Sequence, residues 1–244
     1  YTFHRLNSAT SHPFYISDVD YEQESTSGSI TLSGDGSASS GITGTETLTL
    51  VINSNVSNLY YYCTIHSSMV SVFSVSWQPQ IKYDLQIAVN LWTGTASEKA
   101  TALTNYGNIS TWDTSQITEM SDLFNRKDTF NDDISSWDVS SVTNMQGMFN
   151  SASDFNSDIS LWDVSSVTTM GGMFYVASSF NGNISSWDVS SVTAMDYMFF
   201  AASSFNGNIS SWDVSSVAKM AQMFHSASSF NGNISSWDVS SVLT

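Results

Sequence analysis

In the stretch Tyr60-Tyr61-Tyr62-Cys63-Thr64-Ile65-His66-Ser67-Ser68-Met69, a thiol, an imidazole and a thioether follow one another at Cys-x2-His-x2-Met spacing. Far upstream, His12 in Ser11-His12-Pro13-Phe14 can supply a fourth donor from a neighbouring strand, with Pro13 setting it near a sheet edge. Two imidazoles, one thiolate and a weak axial thioether make the donor set of an electron-transfer copper site, because thiolate holds Cu(I) and imidazole suits both oxidation states. This reading also gives a role to the single cysteine, which has no partner for an internal disulfide. The competing reading makes Cys63 a small buried hydrophobe, His66 a loop residue and Met69 a core side chain. His4 is a substitute donor for His12, although its place between Phe3 and Arg5 suits an exposed strand residue; His225 is expected at the surface. No second histidine cluster is present for oxygen chemistry. No Ser-His-Asp set or carboxylate pair stands apart from the repeating pattern, so no enzymatic activity is expected.

The elements that would hold these donors are strands. An aromatic-rich strand runs into the Cys63 turn, and beyond it Phe73, Val75 and Trp77 alternate with Ser74 and Ser76, the pattern of a returning strand with one buried face. Composition then changes abruptly between Trp77 and Lys82, which divides the chain into residues 1–77, a linker and helical segment at 78–107, and a repetitive region at 108–244.

Trp112, Trp137, Trp162, Trp187, Trp212 and Trp237 recur every 25 residues within nearly copied surroundings. Such a period predicts a solenoid, in which each coil has an apolar face that only its neighbour can bury. Within one repeat, Ile184, Trp187 and Val189 have the spacing of a short strand, and Val192, Met195, Met198, Phe199 and Ala202 form one stripe of a short helix. Columns of identical side chains should build the core, Trp over Trp, Phe155 over Phe180 and Met145 over Met170. Asn131, Asn156, Asn181, Asn206 and Asn231 should form an internal ladder satisfying turn backbone groups. The carboxylates of Asp113, Asp138, Asp163, Asp188, Asp213 and Asp238 would repel one another. Either calcium binds along them or each accepts backbone N–H bonds from its own Val-Ser-Ser turn. The second reading is favoured, since calcium needs six or more oxygen ligands and only one carboxylate per repeat is regularly present. Ahead of the repeats, Leu85, Ala88, Val89 and Trp92 keep helical spacing behind Asp84, the candidate helix cap, and 97–106 ends at Gly107, predicting two short helices that close the N-terminal end of the repeats.

With 22 acidic and 6 basic residues the net charge is -16, which opposes nucleic acid as a partner. No run of 18 or more apolar residues is present to span a bilayer. The abundance of Ser, Thr, Asn and Asp suits a secreted or cell-surface protein. Opening on Tyr1 and closing on Thr244 in mid-repeat, the chain is expected to be a fragment whose export signal or anchor lies beyond its ends. Tyr175, Tyr197, Phe200 and His225 break the regularity and are the first positions at which to test for binding, the sequence itself leaving the binding residues and the ligand unknown.

The motif Trp-Asp-Val-Ser-Ser-Val-Thr-x-Met-x-x-Met-Phe, present from Trp137 to Phe149, and Ala-Ser-x-Phe-Asn, present from Ala152 to Asn156, resemble the repeats of the BspA-like family of bacterial surface proteins in the leucine-rich-repeat superfamily. The resemblance covers Tyr83 to Thr244 and departs in the first repeat at Thr114, Ile117 and Leu123. It implies a leucine-rich-repeat-like α/β solenoid outside the cell, used for adhesion to a protein or glycan. Tyr1 to Trp77 resembles a cupredoxin-like domain, which implies an all-β sandwich with His12, Cys63, His66 and Met69 as copper ligands. That family's first strands have no counterpart ahead of Tyr1, and Val70-Ser71 stands where glycine is common, so the sandwich is expected to be incomplete. The combined expectation is an extracellular binding or adhesion protein with a type 1 copper-like domain. The alternative is a copper electron-transfer protein in which the repeats act only as a spacer.

Overall fold

A computed structural model describes residues 2–4, 13–19, 25, 28, 30–43, 46–52, 58–65, 70–74 and 77–243. The chain divides into two compact units, Tyr1–Trp77 and Gln78–Thr244.

In the first unit the described strands are β1 (Thr2–His4), β2 (Phe14–Ser17), β3 (Ile30–Gly34), β4 (Thr47–Ile52), β5 (Asn58–Cys63) and β6 (Val70–Ser74). They pair antiparallel into two three-stranded sheets, ordered β1-β4-β3 and β2-β5-β6. Alternation decides which side chains go inward: Leu48 and Leu50 are buried, while Thr49 between them is half-buried and Val51 beyond them is exposed. Ile16, Leu59 and Tyr62 from one sheet join Ile30, Leu48 and Leu50 from the other in one cluster, and the Tyr62 hydroxyl donates to the Ala38 carbonyl at 3.2 Å. The aromatic strand and its return form the expected hairpin backbone, with Tyr62 opposite Val70 and Asn58 opposite Ser74. A cupredoxin-like sandwich is not what these residues form. The described strands are three to six residues long and make two small separate sheets. Ser-, Thr- and Gly-rich segments between them offer few apolar residues with which to extend a second layer.

The second unit begins with α1 (Lys82–Trp92) and α2 (Ala96–Tyr106), followed by a 3-10 turn at Ile109–Thr111. Leu85, Ala88, Val89 and Trp92 are all buried, as their spacing requires. Asp84 lies within the first turn of α1, where it faces the positive end of the helix rather than capping it. α2 starts on a capping box: Thr95 Oγ1 accepts from the Glu98 amide at 3.3 Å, and Glu98 Oε2 accepts from the Thr95 amide at 2.7 Å. Trp92 meets Trp112 of the first repeat edge-on at 5.9 Å, and its Nε1 donates to Asp132 at 2.7 Å.

The repeats contain neither the strand nor the helix that their spacing predicts, so an α/β leucine-rich-repeat-like solenoid is overturned. Among the described residues α1 and α2 are the only α-helices, and both precede the repeats. Each repeat is a run of turns joined to its neighbours by single parallel bridges, Glu119 to Asn144, Asn144 to Thr169, Thr169 to Ala194 and Ala194 to Lys219. Residues 195–202 show why. The amides of Met195, Tyr197, Phe199 and Ala201 donate to Lys219, Ala221, Met223 and His225 in the next repeat. Those of Met198, Phe200 and Ala202 bond back three residues, to Met195, Tyr197 and Phe199. Tyr197 and Ala201 take positive φ, 58° and 52°, which no α-helix allows. Successive three-residue turns place apolar side chains three apart just as a helix does.

The apolar columns themselves are present. Trp112, Trp137, Trp162, Trp187 and Trp212 are buried, and Trp187 and Trp212 stack at 6.5 Å with rings 2° from parallel. From Trp137 onward each indole also donates to a carbonyl 28 residues earlier, as Trp187 does to Ile159 at 3.1 Å, whereas Trp112 donates to Gly107 at 3.3 Å. Phe155 stacks on Phe180 at 6.0 Å, and Phe174 lies between Phe149 and Phe199 at 5.7 and 5.6 Å. The Asn ladder is formed by side-chain oxygens accepting from backbone one repeat later: Asn181 takes the Asn206 amide at 2.9 Å.

Candidate functional site

Where repeats are copied so closely, the positions that differ are informative. Position 119 and its equivalents read Glu119, Asn144, Thr169, Ala194 and Lys219. Position 121 reads Ser121, Gln146, Gly171, Asp196 and Ala221; position 122 reads Asp122, Gly147, Gly172, Tyr197 and Gln222; position 125 reads Asn125, Asn150, Tyr175, Phe200 and His225. All four belong to the segment that carries the inter-repeat amide bonds, while the core positions between them, such as Met145 and Phe149, hardly vary and are fully buried. The register of the repeats therefore gathers the variable side chains of these columns on one face, while the column of Asp132, Ser157 and Gly182 varies elsewhere.

On that face the four irregular residues meet. Tyr175 stacks on Phe200 at 4.8 Å and 10°, and Phe200 stacks on His225 at 4.8 Å and 6°. Tyr197 lies beside them, 6.5 Å from Tyr175 and 6.0 Å from Phe200. Tyr197 and His225 are exposed, and Tyr175 and Phe200 are half-buried. His225 Nδ1 is 3.0 Å from Ser226 Oγ. Backbone geometry sets this arrangement, since position 122 and its equivalents all sit at positive φ, with Tyr197 and Gln222 there although the neighbouring repeats use Gly147 and Gly172. In the sequence these residues are only deviations from a consensus. Their convergence could have been found by aligning the repeats at an offset of 25 and asking which columns vary.

The Asp column is engaged by its own turns. Asp188 Oδ1 accepts from the Ser190 amide at 3.0 Å and the Ser190 hydroxyl at 2.7 Å, and Asp163 and Asp213 repeat the pattern with Ser165 and Ser215. The serine hydroxyl, then its amide, holds Asp163, Asp188 and Asp213 below the usual carboxylate range. For Asp188 this outweighs repulsion from Asp163 and Asp213. These bonds offset the like-charge repulsion along the column.

Of the metal-ligand candidates, Cys63 ends β5 opposite Phe14 and is buried, with 6% of its surface exposed. His12, His66 and Met69 lie outside the described residues. His4 is in β1, opposite Thr47. Among the described residues no group of three or more His, Cys, Asp or Glu side chains is placed to hold a metal ion. Among them, too, no helix is long and apolar enough to cross a membrane.

Near-identical 25-residue repeats joined through regular backbone bonds define a tandem-repeat protein. The chain belongs to the family described as "Mycoplasma protein of unknown function, DUF285", whose model matches residues 94–199 and again 160–244. No curated protein and no solved structure matches the chain.

Proposed function

We propose that the chain is a non-enzymatic binding or adhesion protein displayed outside the cell or on its surface, and that its variable face engages a protein or glycan. The observation that carries this reading is the concentration of differences between repeats on one face, with four aromatic rings clustered there. Packing alone would favour the same residue in every repeat, as the core columns show. Exposed aromatic side chains supply large contact area at low conformational cost, which suits them to recognition. The resemblance of the Trp137–Phe149 motif to BspA-like surface repeats supports the same reading.

The test exchanges each irregular residue for one that its own column carries in another repeat: Tyr175→Asn, Tyr197→Gln, Phe200→Asn and His225→Asn together. Such a variant should unfold at the same temperature as the parent. Binding to extracellular-matrix proteins or arrayed glycans should fall by about tenfold or more, about 1.4 kcal/mol or more. Equal binding of parent and variant to every ligand would reject the reading.

A second reading makes the first unit a copper electron-transfer domain, with His12, Cys63, His66 and Met69 as ligands and the repeats as a spacer. The β2–β5 register favours it. The Thr64 amide donates to the Pro13 carbonyl at 3.0 Å, so the backbone next to His12 runs beside the backbone next to Cys63. Thiolate and imidazole together suit a metal that cycles between Cu(I) and Cu(II). Adding Cu²⁺ to the purified chain should produce a strong blue thiolate absorption that is absent in Cys63→Ala. A colourless protein would leave this unit as scaffold.

A further inference from the structure

On the variable face a cavity of about 370 Å³ opens where the second and third repeats carry glycine. Gly147, Gly171 and Gly172 form its floor, and Tyr175 and Tyr197 contribute two rings whose planes meet at 62°. Carboxylates lie against two of these three glycines. A Cβ on Gly147 would collide with the Asp122 carboxylate, and a Cβ on Gly171 would sit 3.4 and 3.5 Å from the two Asp196 carboxylate oxygens. Asp122 Oδ1 accepts from Asn125 Nδ2 at 3.1 Å. Among the described residues the Asp196 carboxylate has neither a hydrogen bond nor an ion pair. No Lys, Arg or His lines the cavity.

Two tyrosine rings and two carboxylates line the cavity together with the neutral amides of Gln146 and Asn150, so its only formal charges are negative. Ring faces attract cations through their quadrupole, and the acids add a full charge each. An anion would be repelled, and a neutral apolar group would leave Asp196 desolvated without a partner. We propose that this cavity binds an organic cation, with an ammonium group seated against Tyr175 and Tyr197 and neutralised by Asp196, Asp122 lying at the other side of the floor. This rests on the reading of the variable face as the binding surface and names the chemistry it recognises. The ammonium comes either from a small quaternary amine or from a lysine side chain of a protein partner.

Calorimetric and amide chemical-shift titrations of the whole chain would use choline, its uncharged isostere 3,3-dimethylbutanol, N-acetyl-lysine methylamide, and glucose as a neutral polyol. Choline or the lysine amide should saturate one site whose shifts centre on Gly171, Gly172 and Tyr197. The uncharged isostere should bind about tenfold more weakly or not at all. Asp196→Ala, Tyr175→Asn and Gly171→Gln each install the residue found at the same column in Ala221, Asn150 and Gln146. Each should weaken the cation about tenfold without moving the unfolding temperature. Stronger binding of the lysine amide than of choline assigns the ammonium to a protein side chain, and the reverse order assigns it to a small amine. Equal binding of choline and its isostere, preferential binding of glucose, unchanged affinity in Asp196→Ala, or no saturable cation binding would each overturn the proposal. If Asp196→Ala and Gly171→Gln still bind the macromolecular ligands of the variable face while no cation binds, the cation site fails and the binding-face reading stands.

Discussion

Phe174→Ala should destabilise the repeat-bearing unit by about 3–5 kcal/mol, toward the upper end of that range. Phe174 has no exposed surface and touches rings in three repeats: Phe149 at 5.7 Å, Phe180 at 3.8 Å and Phe199 at 5.6 Å. How much a truncation costs depends on whether the surroundings can close over the gap. Here they cannot, because the backbone on both sides is tied between repeats. The Phe174 amide donates to Met198 at 2.9 Å, and the Phe149 amide donates to Met173 at 2.9 Å. The hole therefore persists, and its lining loses dispersion contacts on several sides. Against a typical domain stability of about 5–15 kcal/mol, such a loss leaves the unit marginal. Urea unfolding should show a lower midpoint with an unchanged slope. Phe224→Ala provides the comparison, since Phe224 is only half-buried near the last repeat and its removal should cost clearly less. Equal costs at the two positions would show that the columns do not share burial as described.

Deleting residues 137–161, one full period, should leave a folded chain, whereas deleting 137–148 should abolish cooperative folding of the unit. Every inter-repeat bond connects positions about 25 apart, so removing one period hands each donor an equivalent acceptor. Thr168, which donates to Thr143 at 2.8 Å, would meet Thr118, the present acceptor of the Thr143 amide. Asn181, whose amide is taken by Asn156 at 2.8 Å, would meet Asn131. The loss is then one nearest-neighbour interface, as expected where stability is close to a sum over repeats. Removing 137–148 instead brings Phe149 to the place of Trp137 and sets turn serines against core rings. Near-UV circular dichroism from the stacked indoles and the cooperativity of thermal unfolding distinguish the outcomes. Loss of both signals in the full-period deletion would refute the equivalence of the repeats.

These expectations depend on features that differ in how far the amino-acid order reveals them. The Trp and Phe columns and the Asn ladder are legible because a strict period makes each residue its own template for the next. The same period misleads about local structure. Val192, Met195, Met198 and Phe199 have helical spacing, yet amides at alternate residues bond outward to the next repeat, and three-residue turns take the remainder. Spacing records which side chains are buried, not which carbonyl an amide chooses. The helical pair was legible from its apolar stripe, but its capping was not: Asp84 was the visible acid, and Thr95 with Glu98 forms the box that starts α2. In the first unit the alternation around β5 and β6 predicted a hairpin, whereas the grouping of strands into two small sheets depends on pairings distant in sequence, such as Phe3 with Leu48.

The amino-acid order by itself determined the period, the identity of the buried columns, the break near Trp77 and the strongly acidic surface, because each follows from residue type and spacing alone. Only the tertiary structure decided that the repeats are made of turns, and that Tyr175, Tyr197, Phe200 and His225 form one cluster beside a glycine floor. The reason is physical. A backbone amide satisfied by the next repeat rather than by its own turn leaves no local mark in the sequence, yet that choice of partner sets the register that brings scattered deviations onto one face.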